Sequence, residues 1–471
     1  MQYRLLTTNN LEGHSDSNPR LILFFAGWAM DEKPFAHLHR PGYDIAVVWD
    51  YRNLHIDWSF TRKYSEICIL AWSMGVYAAT ITTQAIDYKV TARIAVNGTT
   101  TPIDNTHGIP EAIYHGTLDG LNERNLIKFY RRVCGSAQAY KDFCINIPQR
   151  PLDQLRDELA AIETHAILAN PTSERWDLAI ISRDDAIFPA VNQFRAWCNT
   201  PRRMIPAAHM IDFQKIIDQY FIDKPLVGKR FSTGRPTYDH NAPVQLFAIR
   251  RLEEMLRYNG LLKDILPKQL KIIEIGSGTG ALSRRIAAWS PLSAIEMWDL
   301  SDIGACLPPG DFVCCDAETA IWQKPKQSAD IIASASTIQW FNSPTRFINE
   351  CHRVLAPGGY LLITTYIDGN LSEIRQATGR SLPLLTDAEW QLIAHKAGFD
   401  IIDEHTEDKA LTFDTPLDAL RHLKMTGVNA LGRSNDGFLA ARRMAERMHP
   451  MLDGLYHLTY RPYIAILKKQ Q

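Results

Sequence analysis

The stretch Glu66-Ile-Cys-Ile-Leu-Ala-Trp-Ser-Met-Gly75 is predicted to form a buried strand that runs directly into a tight turn, and the helical pattern Val76–Ala85 follows it. This order of strand, turn and helix is the setting of a nucleophile elbow, in which a serine occupies a strained turn. The residues two before and two after Ser73 must be small, and they are Ala71 and Gly75. Glycine is usual at both positions, so the sequence departs from the pattern once, at Ala71.

Further apolar runs surround this stretch and alternate with helical segments. Continuous apolar runs are typical of parallel strands buried on both faces of a sheet. The polar, helical region between Asn97 and Asn170 interrupts the alternation and is predicted to be a cap, with one helix over Asn122–Val133. Together these features predict an α/β-hydrolase fold with a helical cap. The strand candidates are Leu21–Ala26, Asp44–Val48, Glu66–Ala71, Arg93–Val96, Leu178–Ser182 and Arg203–Pro206.

A serine nucleophile needs a base and an acid, and candidates for both follow the last two strand candidates of this half. His209 is placed to take the proton of Ser73, and an aspartate would hold its imidazole in the productive tautomer. Two aspartates, Asp184 and Asp185, compete for that role. The Asp-x-x-x-Pro spacing to Pro189 favours Asp185, and Asp184 remains the alternative.

An oxyanion hole requires two backbone N–H groups that point at the developing negative charge. The first is expected from Met74, the residue after the nucleophile. The second is expected from Trp28, in the turn Ala26-Gly27-Trp28-Ala29 that follows the first long strand.

The C-terminal half contains a glycine-rich turn that decides its fold. This turn lies in Lys271-Ile-Ile-Glu-Ile-Gly-Ser-Gly-Thr-Gly280. Apolar runs follow it and again alternate with helical segments, which predicts a Rossmann-like doubly wound sheet of the class I methyltransferase type. The further strand candidates are Ala294–Trp298, Asp311–Cys315, Asp330–Ser334 and Gly359–Thr365.

Acidic residues at the ends of three consecutive strands distinguish this turn from a dinucleotide site. Glu274 opposes a pyrophosphate and suits a cationic amino group, as in S-adenosylmethionine, which carries an ammonium, a sulfonium and no phosphate. Asp299 is predicted to accept both ribose hydroxyls, and Asp316 is predicted to accept from the adenine amino group. The alternative is a plain α/β turn with surface acids. The glycines of the turn, which let its backbone approach the methyl donor, are Gly276, Gly278 and Gly280.

Composition narrows the class of protein. Of the 471 residues, 46% are hydrophobic, which excludes a disordered chain. The net charge of −1 gives the chain no overall basic character for binding nucleic acid. The start of the sequence lacks a signal peptide pattern, no apolar run is long enough for a membrane span, and the eight cysteines lack CxxC spacing. We therefore expect a cytoplasmic protein with no membrane or nucleic-acid partner and no metal site. The predicted organisation is a hydrolase domain over 1–222, a linker over 223–230 and a methyltransferase domain over 231–471.

The N-terminal half resembles the BioG family of pimeloyl-ACP methyl ester esterases. The resemblance rests on Leu23-Phe-Phe-Ala-Gly-Trp28, Ala71-Trp-Ser-Met-Gly75, Asp185 and His209. It implies a serine esterase that hydrolyses pimeloyl-ACP methyl ester to pimeloyl-ACP and methanol.

The C-terminal half is similar to the BioC family of malonyl-ACP O-methyltransferases. This resemblance implies methylation of the free carboxyl of malonyl-ACP, or of malonyl-CoA, by S-adenosylmethionine without a metal. The matching segments are Phe231-Ser, Thr237-Tyr-Asp239, Ala242-Pro-Val-Gln245, Glu274–Gly280, Asp299-Leu-Ser301, Gln339-Trp340, Leu423-Lys-Met-Thr-Gly427 and Leu458-Thr-Tyr460. Tyr238 and Trp340 are candidate substrate contacts, with ordinary core packing as the alternative for each.

Together the two resemblances imply a fusion of two enzymes of biotin precursor synthesis, both acting on an acidic acyl carrier protein. Four cations of the predicted cap helix, Arg124, Lys128, Arg131 and Arg132, form a candidate docking face, with a merely solvated face as the alternative. The alternative function is a carboxyl methyltransferase whose hydrolase-like domain serves another acyl substrate or only docks the carrier.

Overall fold

The structure, a computed structural model, describes residues 1–6, 19–168, 176–265, 268–303, 307–426 and 444–470. The chain divides into two compact units, Met1–Phe221 and Ile222–Gln471. Each unit contains its own seven-stranded sheet. The fold is therefore α/β in both units, and each is described separately.

The first unit is built on a sheet in the order β1-β3-β2-β4-β5-β6-β7. All neighbouring strands are parallel except β1, which pairs antiparallel with β3. The sequence did not indicate β1, because it is a short edge strand with mostly exposed, mixed side chains. The strands are β1 (Gln2–Leu6), β2 (Arg20–Phe25), β3 (Asp44–Trp49), β4 (Glu66–Trp72), β5 (Val90–Val96), β6 (Leu178–Ser182) and β7 (Arg202–Ile205).

The described residues between β5 and β6 form four α-helices, in the segment that the sequence predicts to be a cap. The helix expected over Asn122–Val133 is observed as α3, where the Asn122 side chain accepts from the Asn125 N–H and Gly135 ends the helix at a φ of 72°. Asn170, the expected end of the cap, lies outside the described residues. The helices of this unit are α1 (Met74–Thr82), α2 (Glu111–Asp119), α3 (Glu123–Cys134), α4 (Ala137–Phe143), α5 (Leu152–Leu168), α6 (Ala190–Ala196) and α7 (Phe213–Tyr220).

The second unit has a mixed sheet in the order β10-β9-β8-β11-β12-β16-β13. The strands from β10 to β12 are parallel, and β16 pairs antiparallel with both β12 and β13. The strand order reverses between β8 and β11, and such a reversal opens a ligand crevice at the carboxyl ends of the strands. The strands are β8 (Lys271–Ile275), β9 (Ala294–Asp299), β10 (Asp311–Cys314), β11 (Ala329–Ala335), β12 (Leu355–Tyr366), β13 (Phe399–Thr406) and β16 (Pro462–Lys469), with a separate pair of β14 (Lys409–Phe413) and β15 (Tyr456–Tyr460).

Residues 223–230, which the sequence indicates as a linker, instead begin a helix of 18 residues, α8. The Asp223 side chain accepts from the Leu226 N–H at 3.2 Å, and Pro225 occupies the first turn, where a missing N–H costs nothing. The helices of this unit are α8 (Lys224–Asn241), α9 (Pro243–Tyr258), α10 (Leu261–Ile265), α11 (Ala281–Trp289), α12 (Ala317–Ala320), α13 (Pro344–Val354), α14 (Ser372–Thr378), α15 (Asp387–Lys396) and α16 (Pro416–Met425).

Among the described helices, none combines the length and the apolar character that crossing a bilayer requires.

Candidate active sites

Ser73 lies at the turn between β4 and α1, with the strained backbone angles φ 59° and ψ −128°. A β-carbon at Gly75 would lie 2.4 Å from the carbonyl oxygen of Phe25, so this position admits glycine alone. Ala71 is completely buried and tolerates its methyl group. The departure from the usual glycine at position 71 therefore leaves the elbow geometry intact.

Ser73, His209 and Asp185 form a continuous chain of hydrogen-bonding groups. Ser73 Oγ lies 2.9 Å from His209 Nε2, and His209 Nδ1 lies 2.8 Å from Asp185 Oδ2. Both His209 and Asp185 are buried, with side-chain exposures of 1% and 0%. A base in contact with the nucleophile and held by a third group is the geometry that activates a serine hydroxyl.

Asp185 is fixed by several donors. Its Oδ1 accepts the N–H groups of Ile187 and Phe188 at 2.8 and 2.9 Å, and its Oδ2 accepts from Gln193 Nε2 at 3.1 Å. Asp184, the alternative from the sequence, has a side-chain exposure of 64% and faces Arg183 at 3.7 Å. The structure thus brings Asp185 and not Asp184 to the imidazole.

The two residues expected to supply the oxyanion donors, Met74 and Trp28, line the same cavity as Ser73. The Met74 N–H belongs to the first residue of α1, where N–H groups have no acceptor within the helix. The turn that carries Trp28 approaches so closely that a β-carbon on Gly27 would lie 3.1 Å from Ser73 Cβ. The Trp28 side chain is anchored by its Nε1–H, which donates to the Leu155 carbonyl in the cap at 2.9 Å.

The cavity in front of Ser73 is mostly apolar and has about 450 Å³ of empty space, its mouth included. Among the described residues of its wall, Arg132 is the one charged side chain. The Nη2 of Arg132 donates to the Ala186 carbonyl at 2.6 Å. The apolar part of the wall is formed by Trp28, Met74, Ile109, Ile113, Tyr114, Phe129, Leu159 and Ile187.

Asn97 is a supporting residue that the sequence analysis did not single out. Its Nδ2–H₂ donates to the His209 carbonyl at 2.7 Å and to Ser182 Oγ at 2.8 Å, and its Oδ1 accepts the Ser182 N–H at 2.7 Å. The Trp72 Nε1–H donates to the same His209 carbonyl at 2.9 Å. Asn97 directly follows β5 and has a φ of 47°, a conformation that asparagine tolerates well. The signal in the sequence was an asparagine at the end of a predicted buried strand.

A second cavity lies at the carboxyl ends of β8, β9 and β10 and holds about 1160 Å³ of empty space, its mouth included. The turn after β8 passes through its wall with positive φ at Gly276, Gly278 and Gly280. A β-carbon at Gly276 would lie 2.0 Å from Thr337 Oγ1, so a side chain there would displace the loop after β11.

Glu274 lies in the wall of this cavity, with 1% of its surface exposed. Its Oε2 is buried and accepts no hydrogen bond from any residue that the structure describes. Burial raises the pKa of this carboxyl to about 8, and the neighbouring Ser283 opposes that shift only in part. A buried carboxyl group that forms no salt bridge with the described residues favours a cationic ligand group at this point, which is the group that the sequence analysis expected.

Asp299, at the end of β9, is aimed into the cavity by two backbone donors. Its Oδ2 accepts the Gly278 N–H and its Oδ1 accepts the Ser301 N–H, each at 3.0 Å. Burial raises its pKa, and these two N–H groups counteract part of the shift. Each carboxylate oxygen keeps acceptor capacity for a hydroxyl of a ligand.

Asp316, at the end of β10, is paired in a way that the sequence did not indicate. The Lys224 ammonium donates to its Oδ1 and Oδ2 at 2.9 and 2.7 Å and to Glu318 Oε2 at 2.5 Å. Lys224 lies in the segment expected to be a linker, and so its role at this site was missed. Asp316 still lines the cavity.

Tyr238 and Trp340 both line the same cavity and bracket Phe231. The Phe231 ring lies 6.2 Å from the Tyr238 ring and 5.7 Å from the Trp340 ring. Burial raises the pKa of the Tyr238 hydroxyl, which therefore stays neutral and can act as a hydrogen-bond donor.

The described part of the chain contains no group of three or more His, Cys, Asp or Glu side chains arranged to hold a metal ion.

Two family models match the chain, one in each unit. The model described as "Pimeloyl-ACP methyl esterase BioG" matches residues 10–218. The model described as "Methyltransferase domain" matches residues 273–363, which span β8 to most of β12. The second unit accordingly has the fold of an S-adenosylmethionine-dependent methyltransferase.

Curated relatives extend the similarity over nearly the whole chain. A malonyl-[acyl-carrier protein] O-methyltransferase of Bacteroides fragilis (strain 638R) is 35% identical over 474 residues, which cover 95% of this chain and 93% of the relative. The protein of the same description from Haemophilus influenzae is 33% identical over 263 residues, 52% of this chain and 95% of the relative. A crystal structure of BioG from Haemophilus influenzae is similar with 32% identity and a TM-score of 0.40, over 45% of this chain and 94% of that one.

Proposed function

Because the chain belongs to the malonyl-[acyl-carrier protein] O-methyltransferase family, we propose that it is a bifunctional enzyme of biotin precursor synthesis. Its second unit methylates the free carboxyl of malonyl-ACP with S-adenosylmethionine. Its first unit is an α/β-hydrolase esterase that removes the methyl group from pimeloyl-ACP methyl ester. The hydrogen-bonded chain of Ser73, His209 and Asp185 is the observation that carries the esterase assignment.

The residues of the second cavity fit a methyl donor of this kind. Glu274 offers a buried acidic group to the donor ammonium, Asp299 offers acceptors to the ribose hydroxyls, and Asp316 offers an acceptor to the adenine amino group. In the glycine-rich turn, Gly276 and Gly278 have no side chain, so the backbone itself can contact the donor between these groups. When bound, the donor supplies an electrophilic methyl group on a positively charged sulfur.

Methyl transfer to a malonyl carboxylate needs no general base. A carboxyl group with an ordinary pKa near 4 is ionised at neutral pH, so its oxygen attacks the methyl carbon directly. The carbon–sulfur bond breaks, its electron pair stays on sulfur, and no proton moves. The protein then contributes positioning and exclusion of water, which Tyr238, Trp340 and Phe231 provide around the cavity.

Ester hydrolysis in the first unit follows from the contacts of Ser73. His209 Nε2 takes the Ser73 proton as Oγ attacks the ester carbonyl, and the Met74 and Trp28 N–H groups stabilise the oxyanion. The imidazolium then donates its proton to the departing methanol. Departure of methanol leaves the acyl group on Ser73 Oγ. Water then attacks the acyl carbonyl while His209 takes a proton from it, and the imidazolium returns that proton to Ser73 Oγ as the free acid leaves.

Two opposing activities in one chain require selectivity, and the apolar cavity in front of Ser73 supplies a physical basis for it. A pimeloyl chain has four more methylenes than a malonyl chain. Burying each methylene against Ile113, Phe129 and Leu159 favours binding by about 0.8 kcal/mol, or roughly 3 kcal/mol for all four. The methyl ester of a short acyl group would therefore be hydrolysed about a hundredfold less efficiently than that of a pimeloyl group.

Docking of the carrier is proposed on α3, at the mouth of this cavity. Arg124, Lys128, Arg131 and Arg132 are all exposed, which suits an acidic partner. Two of them have other contacts as well, because Arg131 lies 5.1 Å above the Tyr140 ring and Arg132 lines the cavity. Arg124 and Lys128 are therefore the better positions for a test of docking alone.

The donor site is tested by proton release. S-adenosylhomocysteine, which carries the donor's ammonium, should release close to one proton when it binds at pH 7, because Glu274 with a pKa of about 8 is protonated in the free protein and ionised beside the ammonium. The release should vanish as the pH rises above the pKa of Glu274. Calorimetry in two buffers of different ionisation enthalpy measures it.

The matched variants for this measurement are Glu274→Gln and Glu296→Gln. The first should bind roughly ten- to a hundredfold more weakly and release no proton. Glu296, paired with Lys324 and absent from the cavity wall, should leave both quantities unchanged. Equal proton release in the wild-type protein and in Glu274→Gln would show that Glu274 does not bind the donor ammonium.

The esterase and its selectivity are tested with carrier-linked methyl esters. We expect kcat/KM for pimeloyl-ACP methyl ester to exceed that for malonyl-ACP methyl ester by about a hundredfold. Ser73→Ala should abolish hydrolysis of both esters. Ile113→Asn, a change at a half-exposed wall position, should reduce the ratio. Rapid hydrolysis of the malonyl ester would contradict the selectivity, and hydrolysis retained in Ser73→Ala would contradict the esterase site.

The docking surface is tested with Arg124→Glu combined with Lys128→Glu. The double variant should raise KM for pimeloyl-ACP methyl ester by about tenfold at low salt, with smaller effects at high salt because such contacts are screened. Hydrolysis of a p-nitrophenyl ester serves as the control and should not change. An unchanged KM for the carrier-linked ester would place docking elsewhere.

A further inference from the structure

Helix α8 contacts each of the three loops that would hold the donor. At its start, Lys224 pairs with Asp316 after β10. In its second turn, the Gly228 carbonyl accepts from Ser301 Oγ after β9 at 3.1 Å. Near its end, Asp239 Oδ1 accepts from Thr279 Oγ1 in the glycine-rich turn at 2.5 Å. The helix thus forms one side of the donor cavity along its whole length.

Lys224 is the charged contact of this series, and it is almost completely buried, with 1% exposure. Its ammonium lies between two carboxylates, Asp316 and Glu318. Glu318 is fully engaged in the fold, since it accepts the N–H groups of Asn342 and Ser343 at 3.0 and 2.6 Å. Asp316 is the partner that faces the cavity, with a side-chain exposure of 16%.

We propose that Lys224 is a positioning residue for the methyl donor, and that it makes Asp316 the group that recognises the adenine amino group. The ammonium fixes both oxygens of Asp316, while the Glu318 N–H donates to Oδ1 at 3.1 Å. A carboxylate has about four acceptor sites, so a fixed Asp316 retains capacity for an amino group in the cavity.

Removal of the ammonium changes the balance of charges at this point. Two carboxylates would then lie near each other without a cation, and their repulsion would turn the more exposed Asp316 away from Glu318 toward solvent. The adenine amino group would lose its acceptor, while the contacts of Glu274 and Asp299 with the rest of the donor would remain. Lys224 therefore governs selectivity for the base more than the overall fold of the cavity.

The test compares two ligands that differ only at the base, S-adenosylhomocysteine and S-inosylhomocysteine, in which an oxygen replaces the amino group. The inference rests on the proposed donor site. In the wild-type protein, the adenosyl ligand should bind more tightly by about tenfold or more, because a hydrogen bond to a charged group is lost in the inosyl ligand. In Lys224→Met, that ratio of dissociation constants should fall close to one.

Lys224→Arg retains the charge and should preserve the preference for adenine, and Lys229→Met, an exposed lysine of the same helix, should behave as wild type. If Lys224→Met does not fold, Lys224→Gln replaces it in the same comparison. A variant that weakens both ligands by the same factor, with the ratio unchanged, would show a merely structural role and overturn the inference. Failure of the wild-type protein to bind S-adenosylhomocysteine would instead overturn the donor site itself.

Discussion

Parallel pairing of strands is the constraint on which both sites depend. In the first unit, β4, β5, β6 and β7 run side by side, so Ser73 after β4, Asp185 after β6 and His209 after β7 emerge at one edge of the sheet. In the second unit, the parallel strands β8, β9 and β10 bring Glu274, Asp299 and Asp316 to one cavity in the same way. In the first site, Ser73 lies more than a hundred positions from Asp185 and His209 in the sequence. These residues meet because parallel strands place their carboxyl ends at the same edge of the sheet.

The same constraint explains how much of the molecule the sequence predicted. Strands buried on both faces, such as Leu178–Ser182 and Lys271–Ile275, appear in the sequence as unbroken apolar runs, and both are observed with the predicted bounds. The exposed edge strand β1 and the antiparallel strands β13 to β16 were missed. In β13, Phe399–Thr406, apolar and polar side chains mix and form no such run. Strand β16 does contain a buried apolar run, Tyr463–Leu467, which the sequence analysis overlooked.

Supporting residues were harder to predict than the candidate catalytic residues. Ser73, Asp185 and His209 belong to a pattern in which spacing reflects chemistry, and the structure brings them within hydrogen-bonding distance. Asn97 and Lys224 support their sites through contacts that depend on the packed fold. Lys224 in particular stands next to Pro225, and the sequence around it resembles a linker until the Asp223 cap and its burial are known.

The proposed chemistry explains why one chain would carry both a methyltransferase unit and an esterase unit. Methylation removes the charge of a carboxylate, and an uncharged acyl end is compatible with enzymes whose cavities are apolar. Removal of the methyl group by the first unit would then restore the acid. In this proposal, the apolar wall in front of Ser73 makes that step depend on the length of the acyl chain.

Intact-mass spectrometry of two carrier substrates in one reaction tests the account most directly. With S-adenosylmethionine and the full chain present, malonyl-ACP should gain the mass of one methylene and keep it, while pimeloyl-ACP methyl ester should lose the same mass in the same tube. Malonyl-ACP that stays unmodified, or a pimeloyl ester that persists, would contradict the presence of a methylating and a demethylating site in this chain.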